Sequence, residues 1–341
     1  MNSNINLVGG DSMNEKITEV IGQYDVEVCR ANRVKGAWIL ETTEGVKYFG
    51  NCNYSENRAK LAQNVKQLVK EKGFLCIDTF VPAKDGNLLV QGPYNEMFVM
   101  RDWFYGEECN VKSKEQVLLL AKTLAKLHVC MKEISIPEEE TFCKQIKLTE
   151  QLEKRNRELC RVRAYIRNKK QKNSFEQKFL SRFEEQYEQA KKAEGALSKE
   201  MYTAYYEKAL EEGTFLHGNY THHSVIVLSD EEMAVIGFDK VTKGIQIHDF
   251  YLLFRKMMEK WDWDVELANS LLEEYDKIKT ISKEEYHILN VLVSYPEKFW
   301  KVANQYYNNR KSWIPEKNMQ KLLQTMEQAK KKEECIQNLF G

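Results

Sequence analysis

The stretch of sequence that decides the fold is HGNYTHHSVIVLSDEEMAVIGFDKVTKGIQIHDFYLLF, residues 217–254. Its first part belongs to a short β-rich island at 214–239, where apolar runs alternate with turn-forming residues. From Asp249 the apolar residues recur at helical spacing, which predicts a helix over Asp249–Lys260. The rest of the chain is organised on either side of this island.

The first hundred residues predict strands around one helix. Gly36 and Glu44-Gly45 indicate hairpin turns, and Gly73 follows the helix as a C-terminal stop. The predicted strands are Val26–Arg30, Ala37–Glu41, Val46–Phe49, Leu75–Val81, Leu88–Gln91 and Glu96–Arg101, and the predicted helix is Ser55–Lys72.

Most of the remaining chain predicts helices. The predicted helical segments are Lys114–Lys132, the charge-rich region 142–212, Val265–Ile278, Lys283–Val293 and Lys317–Asn338. In the run NKKQKNSFEQKFLSRFEEQYEQAKKAEG, charges of both signs interleave with apolar residues at helical spacing from Phe175 to Tyr187. This pattern favours a solvated amphipathic helix over a nucleic-acid-binding element.

Composition excludes several classes of protein. The chain has 341 residues, and its 51 basic residues balance 51 acidic ones, which gives no sign of a nucleic-acid partner. We expect no membrane span and no secretory signal, because no long apolar run occurs and the amino terminus lacks a basic-then-apolar segment. The eight cysteines are scattered without a CxxC pair, so free thiols are expected, with cross-linking left open if the protein ends in an extracellular assembly.

Three local motifs occur in an order that is typical of one fold. They are TLAKLH at 123–128, HGNYTHHSVIVL at 217–228 and AVIGFDKVTKGIQIHDFYLLFRKMM at 234–258. The chain resembles the aminoglycoside and choline kinase-like phosphotransferases, and within them the CotS family of spore coat proteins. The polar, glycine-bearing start of the chain predicts a flexible tail at 1–12. The resemblance implies a bilobal α+β, protein-kinase-like fold with an N-lobe at 13–103 and a helical C-lobe at 104–341. It places a degenerate catalytic-loop region at 214–250.

The resemblance assigns roles within this catalytic loop. Active relatives have His-x-Asp, and five residues after the Asp an Asn; the Asp accepts a proton from the acceptor hydroxyl and the Asn binds magnesium. Here His217 matches, but Asn219 stands at the Asp position and Ser224 at the Asn position. A neutral amide is no base at physiological pH, and a hydroxyl is a weaker ligand, so both roles are compromised.

The magnesium-binding Asp of active relatives ends an Ile-Asp-Phe-type strand. The matching segment here is Ile236-Gly237-Phe238-Asp239, so Gly237 stands at the carboxylate position. Asp239 follows two residues later and is a candidate residual metal ligand, although a loop or surface carboxylate is the expected interpretation.

The nucleotide-anchoring lysine of such folds ends a Gly-Val-x-x-Leu-Lys strand. The matching residues run from Gly45 to Gly50, which puts Gly50 at the lysine position. Lys47 is the other candidate anchor, but it lies an odd number of residues away and should point to the opposite face of the strand.

The retained residues suggest architecture rather than catalysis. His217 is expected to brace the loop, and Asp249 is expected to cap its helix and hydrogen-bond the backbone of the catalytic loop. A metal cluster of His222, His223 and His248 is not expected, because adjacent histidines in a strand would point to opposite faces.

Taken together, the resemblance and its departures imply a catalytically inactive spore coat component with a structural or interaction role. Its expected partners are other coat proteins, with a possible small ligand in the cleft, and it is expected to be made in the mother-cell cytoplasm and deposited in the coat. No cofactor is expected. The alternatives are an active small-molecule kinase that uses ATP and magnesium, and a pseudokinase that binds a nucleotide or a sugar-like ligand without turnover.

Overall fold

The computed structural model describes residues 15–137, 143–308 and 315–341. The chain forms two compact units, of which the first comprises residues 1–143 and 213–243 and the second residues 144–212 and 244–341. The predicted tail at 1–12 lies outside the described residues. The lobe boundary expected after residue 103 stays a prediction.

The first unit combines an antiparallel sheet with helices and short strand pairs. The sheet has the order β1-β2-β3-β5-β4, and β7 pairs with β10 while β6, β8 and β9 form a small sheet. The elements are α1 (Glu15–Ile21), β1 (Val28–Val34), β2 (Ala37–Thr42), β3 (Gly45–Cys52), α2 (Glu56–Glu71), β4 (Leu89–Gln91), β5 (Met97–Asp102), β6 (Glu107–Glu108), α3 (Lys114–Cys130), β7 (Phe215–Leu216), β8 (Val225–Val227), β9 (Met233–Val235) and β10 (Thr242–Lys243).

The period-two alternation of β3 gives the sheet two different faces. One face carries Phe49, whose ring stacks on that of Phe98 at 5.2 Å in a core that also contains Leu40. Burying an aromatic side chain of this kind contributes about 1.5–3 kcal/mol. The other face carries Tyr48 and Gly50, and it is the face on which the candidate site is built.

The expected strand at Leu75–Val81 is wrong. The segment forms only isolated bridges, a parallel one from Ile77 to Val235 and an antiparallel one from Phe80 to Arg101. Because its two ends pair with different sheets, no continuous ladder of hydrogen bonds can form along it. Helix α1 was not expected from the sequence, since seven residues give too short a periodic pattern.

Helix α2 begins and ends where its sequence indicates. The Ser55 side chain accepts a hydrogen bond from Arg58 N at 3.3 Å, which caps the helix. Gly73, one residue beyond the C-cap, has φ +94°, the left-handed conformation in which helices often end. The prediction of this helix is confirmed.

The second unit is helical. Its helices are α4 (Leu148–Arg167), α5 (Ser174–Ala196), α6 (Lys199–Glu211), α7 (Ile247–Lys260), α8 (Val265–Asp276), α9 (Lys283–Ser294), α10 (Glu297–Asn308), α11 (Pro315–Glu327) and α12 (Ala329–Phe340). Asn173 and Glu176 form a capping box at the start of α5, and the Phe179 ring stacks on Phe299 at 4.8 Å. The helix expected over Lys317–Asn338 is divided into α11 and α12 at Gln328. Throughout the described ranges, the helices are all too short or too polar to cross a membrane.

Candidate functional site

The loop between β7 and β8, residues 217–224, makes a tight turn against the segment after β9. Gly218 has φ +79°, and a Cβ on it would lie 2.1 Å from the carbonyl oxygen of Lys240. Any other residue would therefore collide with backbone, so the glycine fixes how closely this loop approaches the rest of the first unit.

His217 braces this loop from inside. Its side chain is fully buried, Nδ1 accepts from Asn219 N–H at 3.2 Å, and Nε2 lies 3.0 Å from the carbonyl oxygen of Ile236. These partners require a neutral ring with its proton on Nε2, which donates to Ile236. The histidine thus links the loop to the residue before Gly237.

Asn219 and Ser224, the next two polar residues of interest in this loop, differ in exposure. Asn219 is exposed, whereas Ser224 is buried with 6% of its surface exposed. The Ser224 hydroxyl donates to the Asn219 carbonyl oxygen at 2.8 Å and accepts from Thr221 N–H at 3.1 Å. Its oxygen is engaged by the loop's own backbone.

A buried ion cluster lies beside Gly237 and was not expected from the sequence. It consists of Lys66, Asp78 and Arg101: the Asp78 carboxylate lies 2.9 Å from Lys66 Nζ and 3.0 Å from Arg101 Nη1. The same carboxylate accepts from Gly237 N–H at 3.1 Å. The backbone at the magnesium-binding position of active relatives is therefore tied to an internal carboxylate.

Burial makes this ion cluster energetically demanding. Lys66 and Asp78 are fully buried. Burial lowers the pKa of Lys66 to about 8, against the opposing attraction of Asp78. Burial also opposes the charge of Arg101, but Asp78 together with Tyr54 and Asp239 more than offsets this effect, and the pKa of Arg101 rises. Aromatic rings supply further stabilisation, since Lys66 Nζ lies 4.4 Å from the centre of the Phe80 ring and 5.3 Å from that of Phe238.

The sequence carries one signal that could have revealed this ion cluster. Lys66 lies at helical spacing with Ala62 and Val69 on the buried face of α2, where a lysine needs a partner. Finding Asp78 and Arg101 would still have required the tertiary fold, because they follow in other segments of the chain.

The space above Gly50 is filled by Tyr48. A Cβ on Gly50 would lie 2.5 Å from Tyr48 Oη and 3.1 Å from the Ala37 Cβ. Tyr48 in turn packs against the Trp103 ring, with ring centres 4.9 Å apart. A lysine at position 50 could extend only if this tyrosine moved.

Lys47 lies on the face opposite Gly50. It is buried, with 7% of its surface exposed, and its Nζ lies 2.7 Å from Asp102 Oδ1, directly across the β3–β5 pair. Thr79 donates to the other oxygen of Asp102. Lys47 is thus occupied on the opposite side of the sheet from Gly50 and Tyr48.

Asp239 follows Gly237 in a short 3-10 turn, residues 238–240. Its Oδ1 would lie 3.8 Å from a Cβ built on Gly237, so the carboxylate is near the place from which the missing side chain would start. Its carbonyl oxygen accepts from Arg58 Nε at 2.7 Å, which ties the turn to α2. Asp239 is half-buried.

Two expectations about retained polar residues need correction. Helix α7 begins at Ile247 with Gln246 as its N-cap, so Asp249 lies in the first turn and is not the capping residue. His222 and His223 lie in a turn rather than a strand, and their ring centres are 3.9 Å apart instead of on opposite faces. Within the described ranges, no group of three or more His, Cys, Asp or Glu residues is placed to hold a metal ion.

Comparison with known families agrees with this fold and its motifs. A family model described as "Spore coat putative kinase YutH" matches residues 18–339. The chain belongs to this family. The chain is also similar to spore coat protein S of Bacillus subtilis strain 168, with 21% identity over 88% of this chain and 87% of that protein. The resemblance to CotS-like spore coat proteins is confirmed.

Solved structures give the fold of this YutH-family chain. An aminoglycoside phosphotransferase from Alicyclobacillus acidocaldarius superimposes with a TM-score of 0.82 at 18% identity, over 97% of this chain and 96% of the other. The AMP-bound spectinomycin phosphotransferase APH(9)-Ia gives a TM-score of 0.61 at 13% identity, over 96% of this chain and 98% of that one. The predicted α+β kinase-like fold class is confirmed.

Proposed function

We propose that this chain is a catalytically inactive, kinase-like component of the spore coat with a structural or protein-interaction role. The observation that carries the proposal is the closure of loop 217–224 on itself, in which the Ser224 hydroxyl is bonded to Asn219 and Thr221. The base position of the same loop holds the Asn219 amide, which does not accept a proton at neutral pH. Losing a general base alone typically lowers a rate by about 10²–10⁴.

The donor set around this loop does not fit a magnesium–nucleotide complex. Magnesium takes oxygen ligands in near-octahedral geometry, and active folds supply carboxylate and amide oxygens. Here Gly237 has no side chain, and the neighbouring Asp78 carboxylate is neutralised by Lys66 and Arg101. Gly50 has no side chain, so position 50 provides no positive charge to bind phosphate groups. Neither ATP nor magnesium is part of the proposal.

The coat assignment is supported by what the chain is similar to. The matching family model and the Bacillus subtilis relative are both described as spore coat proteins. By analogy, the chain is made in the mother-cell cytoplasm of a spore-forming bacterium and is deposited in the coat, where other coat proteins are its partners. An inactive site leaves the surface to make these contacts.

A second candidate, an active phosphotransferase or a nucleotide-binding pseudokinase, is favoured by one observation. The Asp239 carboxylate lies near the place of the missing Gly237 side chain, with 3.8 Å between Oδ1 and a Cβ built there. It could supply one oxygen ligand to a metal ion.

Thermal melting of the full chain with ATP, with and without magnesium, separates these candidates. A ligand at about 100 times its Kd stabilises a protein by about 2.7 kcal/mol, so binding would raise Tm clearly. We expect no magnesium-dependent shift and no phosphotransfer to a panel of hydroxyl and amine acceptors. A shift that disappears in Asp239→Asn and persists in the exposed control Asp230→Asn would overturn the inactive assignment, and turnover would separate a kinase from a binding protein.

Incorporation into the spore coat gives a second, independent test with the same variant. Fluorescent fusions of wild-type protein and of Asp239→Asn should enter the coat of a sporulating host equally, because the proposed role uses the surface and not the site. Loss of incorporation in Asp239→Asn, with normal melting of the purified variant, would contradict a role independent of the site.

A further inference from the structure

The helical unit contains a cavity of about 440 Å³, which we call the helical cavity. Its walls come from α5, α7, α9, α10 and α12, together with the end of α11. Apolar surface is supplied by Trp263, Val291, Phe299 and Ile336. This size lies in the range of small-molecule sites, which are mostly apolar with a few convergent polar groups.

The carboxylates inside this cavity are already neutralised. Glu259 lies against Arg255 Nη1 through Oε1 and 3.5 Å from Lys298 Nζ through Oε2. Glu297 lies 2.6 Å from Arg155 Nη1 and 3.1 Å from Lys301 Nζ. Four cations therefore share two carboxylates: Arg255 and Lys298 line the cavity, and Arg155 and Lys301 lie outside its lining, so positive charge is in excess around this wall.

Lys332, a half-buried residue of α12, adds a further cation to this excess. Its Nζ donates to the Tyr295 carbonyl oxygen at 3.2 Å and lies 5.4 Å from the centre of the Trp263 ring. Within the described residues no carboxylate lies within ion-pair distance of it. Burial and, to a smaller extent, the nearby Arg255 charge lower the pKa of Lys332 to about 8, against the opposing attraction of Glu259 and Glu297.

Arg255 also has an unused donor in this wall. Its side chain lines the cavity and the residue is 6% exposed. Its Nε is buried and has no hydrogen-bond partner among the described residues. A buried N–H without a partner is costly, and the Arg255 guanidinium adds its charge to the positive side of this wall.

We propose that the helical cavity binds a small organic anion, whose carboxylate or phosphate group contacts Lys332 and Arg255 and whose body packs against Trp263 and Phe299. A cationic ligand would meet the surplus positive charge, and a neutral one would leave Lys332 without a counter-ion. At the exposed rim, Lys192 and Glu333 offset each other and do not change this balance. This site is independent of the proposed coat function.

The test uses the full chain and defined probes. Citrate represents carboxylates, glucose 6-phosphate represents phosphates, glucose is the neutral control and spermidine the cationic one. Calorimetric titration and melting at constant ionic strength should give saturable binding of at least one anion. Affinity should fall at least about tenfold in Lys332→Gln, the loss expected for one charged contact, and should stay unchanged in Lys330→Gln on the exposed side of α12.

The probe that binds identifies the class of anion. The proposal is overturned if neither anion binds saturably, if glucose or spermidine binds as well as the anions, or if Lys332→Gln binds them like the wild type. Should Lys332→Gln fail to fold, Lys298→Gln gives a second comparison, because Lys298 also lines the cavity and contributes to its positive charge.

Discussion

This molecule has two internal charged regions, the ion cluster of the first unit and the helical cavity of the second. They differ in how far their buried charges are compensated by opposite charges. Lys66 and Lys332 both have pKa values lowered by burial to about 8. Lys66 has the Asp78 carboxylate at 2.9 Å, while Lys332 donates to a backbone carbonyl and lies over an aromatic ring, with Glu259 and Glu297 attracting its charge without forming an ion pair. The first region compensates its charges with internal partners, whereas the second combines incompletely compensated charge with a cavity.

The two regions also differ in how much empty space they contain. Beside the ion cluster, the Tyr48 hydroxyl occupies the space above Gly50, and Asp78 is bonded to the backbone of Gly237. In the helical unit a cavity of about 440 Å³ remains among charged side chains. The kinase-like fold of this chain is thus tightly packed above Gly50 and carries a cavity in its helical unit.

The largest expected effect comes from removing the shared carboxylate of the ion cluster. Asp78→Asn leaves Lys66 and Arg101 buried without a counter-charge, so the free energy of unfolding should fall by about 3–5 kcal/mol. Urea denaturation measures this loss, with the exposed Asp230→Asn as control. A loss below about 1 kcal/mol, the value of a surface ion pair, would mean that the charges are not mutually satisfied.

A smaller effect, with a defined pH dependence, is expected in the helical cavity. Lys332 faces Arg255 and Glu259 of α7 and Glu297 of α10, and its pKa falls from 10.5 to about 8 on folding. Between these values the unfolded state binds more protons, so this lysine makes the free energy of unfolding rise with pH, by about 1–3 kcal/mol in all.

The measurement is the difference in unfolding free energy between wild type and Lys332→Met. The wild-type value minus the variant value should increase as the pH rises from about 7.5 to about 9.5, because the wild type loses the destabilising charge of Lys332 and the variant has no such charge. Lys330→Met is the control, since the Lys330 side chain is 88% exposed. Parallel curves for wild type and Lys332→Met would show that folding does not desolvate the Lys332 ammonium.

The smallest effect tests the filled space above Gly50. Gly50→Ala places a Cβ 2.5 Å from Tyr48 Oη and should lower the free energy of unfolding by about 1 kcal/mol, the low end for overpacking, because the tyrosine can shift. In a Tyr48→Val background the same change should cost less. An equal cost in both backgrounds would show that Tyr48 does not fill the site.

Much of the fold could be predicted from the sequence because local patterns were unambiguous. The capped helix α2 and the hairpins around Gly36 and Gly45 appear close to their expected positions. The segment at 75–81 was mistaken for a strand because its β-type residues bridge two sheets, a feature that no local pattern contains. Asp249 was placed at the wrong helical position because sequence patterns mark helix ends only to within one or two residues.

The candidate site could likewise be predicted only in part from the sequence. The residue types at Asn219, Ser224, Gly237 and Gly50 are read directly from the sequence, and they are what argues against phosphoryl transfer. Which atoms have taken over the vacated space could not be read there. Hydrogen bonds from Ser224 to its own loop and the position of Tyr48 above Gly50 depend on side-chain directions in the folded chain.

By itself, the sequence determined the kinase-like class and the residue types that stand in its catalytic-loop motifs, because both reside in short motifs of fixed spacing. Only the tertiary structure decided the partners of Lys66 and the surplus charge around Lys332. Their neighbours come from segments far apart in the chain: Asp78 and Arg101 for Lys66, and Arg255 and Tyr295 for Lys332. Burial sets the free energy of such charges, and burial is a property of packing that no single segment contains.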